Sequence, residues 1–190
     1  MAQYNDYARL PFIPYKIVEY LAMNNENIWK LLKYDSYDCL SKPDLTLSEK
    51  MELVWTEGRQ EKKRLFLTNL IEDMIGDSTT VIKINKLNTA PKDHLQSVTS
   101  YEFSILYGGK ISMVSYEGIP CNRGDIFEYE LLSTLNGVNV GGVGTMQFNN
   151  KLSSFSRSAN NIGNNKTYTG VNIIMGVLTT NIKAQKGNEC

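Results

Sequence analysis

The chain has 190 residues, with 20 Lys and Arg against 20 Asp and Glu, so its formal net charge is zero. A chain of this length hides about 70% of its unfolded surface and needs no covalent staples. Its 42% hydrophobic and 21% charged residues exclude collagen, coiled-coil and disordered classes, and its neutrality argues against a free-standing nucleic-acid binder, which draws much of its affinity from excess positive charge.

Residues 1–10 read as an irregular arm, with Tyr4 and Tyr7 as anchors on the body or on a neighbour. A helix follows from Pro11 or Pro14, because Ile13, Ile17, Val18 and Leu21 recur at helical spacing and a first turn tolerates proline. The run Asn24–Asn27 interrupts it, and Ile28, Trp29, Leu31 and Leu32 form a second short helical patch. Residues 34–44 read as a loop broken by Lys42-Pro43-Asp44. Thr46-Leu47-Ser48-Glu49 then has the form of a capping box, opening a helix whose Leu47, Met51, Val54 and Trp55 share a face and which Gly58 ends. Residues 65–75 fit either a helix or the entry to a strand.

Strand signals begin with the β-branched run Thr80–Ile84, followed by a loop at 88–93 around Pro91. Val98–Tyr107 is the clearest strand: Tyr101, Phe103 and Ile105 point one way, Ser100, Glu102 and Ser104 the other. Residues 111–116 suggest a shorter strand and 118–124 a loop. Asp125 then caps a helix with the stripe Ile126, Tyr129, Leu131, Leu132 and Leu135, which Asn136-Gly137 stops. The strand Thr145–Phe148 follows Gly141-Gly142-Val143-Gly144. Ten of the eighteen residues from 149 to 166 are Ser or Asn, the composition of a solvated loop or extended arm. A long apolar strand, 168–182, precedes a frayed tail, 183–190. Helices first, then strands flanking a helix, predict one α+β domain over 11–182, a mostly antiparallel sheet with helices packed on one face, plus the arms.

The inventory for catalysis is thin. There is one histidine, His94, in a polar loop. Three cysteines, Cys39, Cys121 and Cys190, with no CxxC pair, make neither a disulfide framework nor a zinc site and read as free thiols of a reducing cytosol. The glycines at 141–144 follow a helix and open a strand, the reverse of a dinucleotide loop, so close packing or positive φ accounts for them. Acidic clusters (Asp35 with Asp38, Glu72 with Asp73 and Asp77, Glu128 with Glu130) read as solvated faces, and Glu128 and Glu130 do not share a helix face. Cys39 lies in a polar loop where it could be exposed. Arg59, Lys62, Lys63 and Arg64 form a basic run that suits a solvated face, an acidic partner or, repeated around a ring, a collar near DNA. No signal peptide and no apolar run long enough for a membrane span are expected.

Three segments in order resemble a known family. They are Ile28-Trp29-Lys30-Leu31-Leu32 with Lys42-Pro43-Asp44-Leu45-Thr46; the strand Ser100–Ile105; and Leu131–Gly137 followed by Gly142-Val143-Gly144-Thr145-Met146-Gln147-Phe148. Over roughly residues 25–180 the chain is similar to the tail terminator and neck (head-to-tail joining) proteins of tailed bacteriophages. Those proteins carry an SFEI-type strand, a helix closing in LNG and a GIG-x-L-x-F strand. Leu135, Asn136, Gly137, Gly142, Gly144 and Phe148 carry the match here.

The resemblance implies a virion structural protein: a sixfold or twelvefold homo-oligomeric ring that terminates the tail tube and joins it to the head connector. It would be assembled in the host cytoplasm, contact adjacent neck and tail proteins, and pass genomic DNA without reading its sequence. It implies no catalytic residue, cofactor, metal or membrane contact. Tyr4, Tyr7, Phe155 and Arg157 are then candidate inter-subunit arm residues. Three alternatives stay open: a head-completion adaptor or stopper, a small cytosolic enzyme using carboxylates such as Glu102, Asp125 or Glu128, and a nucleic-acid module using Arg59–Arg64.

Overall fold

The computed structural model describes residues 7–68, 78–91, 96–142, 144–148 and 168–180. A 3-10 helix, Tyr7–Phe12, occupies the end of the stretch expected to be irregular and leads into α1 (Ile13–Asn24). Pro14 sits within the first two positions of α1, where the missing N–H costs nothing. Asn25 leaves the helical conformation, and its side-chain carbonyl accepts the Ile28 amide at 2.9 Å, starting α2 (Asn27–Lys33). The capping box at Thr46 forms in both directions and opens α3 (Leu47–Glu52).

Helix α3 is shorter than its apolar spacing predicted. Leu47 is exposed, while Val54 and Trp55 leave the helix: Val54 bridges to Leu65, and the Trp55 ring lies 6.2 Å from Phe66. Burying these two side chains against β1 (Leu65–Phe66) outweighs continuing a short helix into the glycine at 58.

The main sheet has the order β1-β2-β3-β7-β6, from β2 (Thr80–Pro91), β3 (Gln96–Gly108), β6 (Thr145–Gln147) and β7 (Tyr168–Thr180). Among the described strands, only the β1–β2 pair is parallel. The predicted loop at 88–93 is overturned up to Pro91. The strand runs on to that proline, absorbing a register shift between Lys86 and Asn88 as it pairs with β3. β3 lies at the centre, pairing with β2 through Thr80–Tyr107 and with β7 from Gln96–Thr180 to Gly108–Tyr168.

The alternation read from β3 decides the layering. Tyr101, Phe103 and Ile105 are fully buried, with Ile82, Ile84, Ile173, Met175 and Val177, against Ile17, Leu31, Trp29 and Phe127 of the helices. The opposite face is mixed: Phe66, Val81 and Leu106 make a small apolar patch with Trp55, beside rungs such as Lys83–Ser104–Asn172. The fold is α+β with a mostly antiparallel sheet.

Two further expectations change. Residues 118–124 are not a loop: Ile119–Asn122 is β5, pairing antiparallel with β4 (Met113–Tyr116) in a separate two-stranded hairpin. The cap of α4 (Arg123–Leu135) is Asn122, whose side chain accepts the Gly124 amide at 2.8 Å, and Asp125 lies in the first turn. Tyr129 of the predicted buried stripe is exposed. Phe127, Leu131 and Leu135 are the fully buried apolar positions of α4.

Candidate interaction surface

The helix-to-strand return that carries the LNG and GVG-x-M-x-F residues is a closed structural unit. Leu135 and Met146 are fully buried. Past the end of α4, Gly137 at φ +83 donates its amide to the Met146 carbonyl at 2.8 Å, and Met146 donates back to Val138 at 2.8 Å. The Asn136 side-chain carbonyl accepts the Phe148 amide at 2.9 Å. Gly142 takes φ +74. At Gly144 a Cβ would collide with the Leu178 carbonyl oxygen of β7, so only glycine lets the backbone approach so closely. Gly144 therefore serves close packing, while Gly137 and Gly142 supply positive φ.

The basic run divides in two. Lys63 donates to the Glu52 carbonyl at 2.8 Å, and Arg64 turns inward, 3.7 Å from Asp35, so both are used by the fold. Arg59 and Lys62 are exposed and make no ion pair among the described residues. Tyr7 lies in the first 3-10 helix. Tyr4, Phe155, Arg157, His94 and the Glu72–Asp77 cluster lie outside the described residues.

The acidic readings separate in the same way. Glu102 shares with Asn85 and Ile174, on its rung, the face of the sheet opposite the described helices, so it does not converge with Asp125 and Glu128 of α4. Glu130 is not solvated: it is buried and accepts from the side-chain amides of Asn25 and Asn27, each at 2.7 Å. Cys39, expected to be exposable, is buried, and that burial pushes its thiol pKa up. Among the described residues no group of three or more His, Cys, Asp or Glu side chains is placed to hold a metal ion.

The residue that sequence reading missed is Arg123. It is fully buried. Its Nε donates to the Ile111 carbonyl at 2.7 Å, one terminal nitrogen to Leu31 at 2.7 Å, and the other to Ser36 at 3.2 Å. Thr80 Oγ1 and the Tyr34 carbonyl complete the shell at 3.3 and 3.4 Å. One guanidinium thus ties the start of α4 to α2, β2 and two loops. Burial lowers its pKa, opposed by the nearby Cys39 and Asp35. Only its place at a helix start signalled it, since its partners are backbone carbonyls that carry no sequence pattern. Elsewhere among the helices, Lys50 pairs with Glu26 at 2.6 Å and caps the Ala22 carbonyl, and Lys30 reaches Asp44 at 2.7 Å. These groups brace the helices.

Among comparisons with known proteins, the family model YomW matches residues 25–177. None of the curated proteins and none of the solved structures compared with the chain matches it.

Proposed function

Because the chain belongs to YomW, a Bacillus phage-derived family, we propose that it is a virion structural protein of a tailed-phage neck, a ring that terminates the tail tube and joins it to the head connector. The observation that carries this reading is the return from α4 into β6. There Leu135-Asn136-Gly137 and Gly144 to Phe148, residues of the neck-protein resemblance, act together as one packed unit. The work is mechanical. Arg123 ties α4 and α2 to β2, and the Glu26–Lys50 pair ties α3 to the start of α2, giving a stiff subunit. Stiff subunits bury surface on one another around a closed axis, and the lumen passes DNA without reading it. The protein catalyses nothing and takes no cofactor. It is assembled in the host cytoplasm and resides in the virion between head and tail proteins.

Electron microscopy and mass measurement of the purified full chain test this. Closed sixfold or twelvefold rings are expected, together with the protein's presence at the head–tail junction of virions. A stable monomer that joins neither heads nor tails would overturn the reading.

A further inference from the structure

We infer that Asn136-Gly137, at the end of α4, is a self-modifying site that the return into β6 holds unreacted. The reaction is succinimide formation with loss of ammonia, and its only co-reactant is water. The inference goes beyond the ring reading and does not depend on it.

Asn136-Gly137 is the one Asn-Gly step in the sequence. Such a step is chemically weak, because glycine brings no Cβ to shield its own nitrogen. The Gly137 nitrogen gives up its proton and attacks the side-chain carbonyl carbon of Asn136. A C–N bond forms, the bond from that carbon to Nδ2 breaks, and ammonia leaves with the proton. Water then opens the five-membered ring. Addition at the side-chain carbonyl gives aspartate at position 136. Addition at the main-chain carbonyl gives isoaspartate, in which the backbone runs through the side chain and is one carbon longer. Both residues are exposed, so water reaches them.

The fold engages both reacting groups. The Gly137 N–H donates to the Met146 carbonyl at 2.8 Å, and a bond made by the protonated form opposes its deprotonation. The Asn136 side-chain carbonyl accepts the Phe148 amide at 2.9 Å, which keeps the carboxamide turned towards β6. That bond polarises the carbonyl, but polarisation helps only a nucleophile that arrives. Asn136 is the C-cap of α4, at φ −69 and ψ 126, with its own amide bonded to the Leu132 carbonyl. This extended ψ turns the Gly137 nitrogen away from the side chain, whereas ring closure needs the two eclipsed. Rotating ψ to that position breaks the bond from Gly137 to Met146, so the step reacts only when the return opens.

The return is a place where local opening is favoured. β6 has three residues and lies at the sheet edge, paired among the described strands with β7 alone. Short edge elements open at lower free energy than the core. Once isoaspartate forms, the extra carbon puts the Gly137 N–H out of register with Met146, and the return does not close again.

The test is peptide mapping by mass spectrometry of the purified full chain, held at mildly alkaline pH either native or in guanidinium chloride. The denatured chain should deamidate at position 136 at least about tenfold faster than the native one. Gly144→Ala, whose Cβ drives β6 from the Leu178 carbonyl, should speed the native reaction at least about fivefold. Gly137→Ala should abolish the fast reaction of the denatured chain, since its Cβ crowds the attacking nitrogen. When denaturant is removed, isoaspartate should be left behind in the misfolded fraction. Equal native and denatured rates, or a folded Gly144→Ala that reacts at the wild-type rate, would overturn the return as the protecting device. A denatured chain that stays unmodified at position 136 would overturn the site itself. Isoaspartate carried into the refolded fraction at an undiminished share would overturn the block on closure. Should Gly144→Ala fail to fold, the wild-type comparison decides.

Discussion

Arg123 shows how much one side chain can decide. Its guanidinium meets four backbone carbonyls and the Thr80 hydroxyl with no solvent contact. Lysine offers its donors from one atom and cannot span that fork. Arg123→Lys or Arg123→Ala should therefore cost about 3–5 kcal/mol in urea unfolding, whereas Arg59→Ala on the surface should stay within about 0.5 kcal/mol. Equal midpoints for the two sites would remove Arg123 from this role. Tyr101 gives the opposite case. It is fully buried on β3, burial raises its pKa, and its hydroxyl finds no hydrogen-bond partner among the described residues. Removing a buried, unsatisfied hydroxyl recovers a desolvation cost of about 1–3 kcal/mol, so Tyr101→Phe should leave thermal stability unchanged or raise it. A clear fall in Tm would mean that the hydroxyl is satisfied.

At the scale of elements, the return from α4 to β6 is the part most sensitive to a methyl group. Gly144→Ala forces a Cβ into the Leu178 carbonyl, so β6 must draw away from β7 at a cost of about 1–3 kcal/mol. Denaturant unfolding would measure the loss, and a neutral result would mean that the return can shift freely. Elements with strong local signals were legible in the sequence. β3 alternates cleanly, α1 repeats at helical spacing, and Thr46 with Glu49 makes the capping box that forms. Elements fixed by distant partners were not. β5 contains Pro120 and Asn122, poor strand formers that pair because β4 lies opposite. Glu130 looked solvated because Asn25 and Asn27, more than a hundred residues earlier, are invisible to local spacing. The basic run read as one patch, yet Lys63 and Arg64 are taken up by Glu52 and Asp35.

For the whole molecule, acid stability reports how these groups are coupled. Burial raises the Asp35 carboxyl above its ordinary value of 3.8, against the opposing pull of Arg64 and Arg123. A raised carboxylate supports the fold fully below 3.8, and that support fades as pH rises through its folded pKa. Asp38, lowered by its hydrogen bond from Lys42, and Glu49, lowered by Thr46, act with the opposite sign and lose their support as pH falls. Relative to wild type, Asp35→Asn should therefore gain stability as pH climbs from below 3.8 towards neutrality, less the loss of its pairing with Arg64. Denaturation midpoints over that range would show it, and parallel curves for the two proteins would exclude any burial strain at Asp35.

The insertion of β7 between β3 and β6 carries a consequence for the timing of synthesis. Gly108 pairs with Tyr168 and Gln96 with Thr180, so one whole side of the central strand waits for residues translated much later. Closing so long an intervening stretch is entropically slow. A nascent chain still held on the ribosome short of residue 168 therefore exposes the flank of β3 and lacks Ile173, Met175 and Val177 from its core. An unfinished polypeptide therefore cannot close the sheet, and the complete fold is reached only after residue 180 has been made.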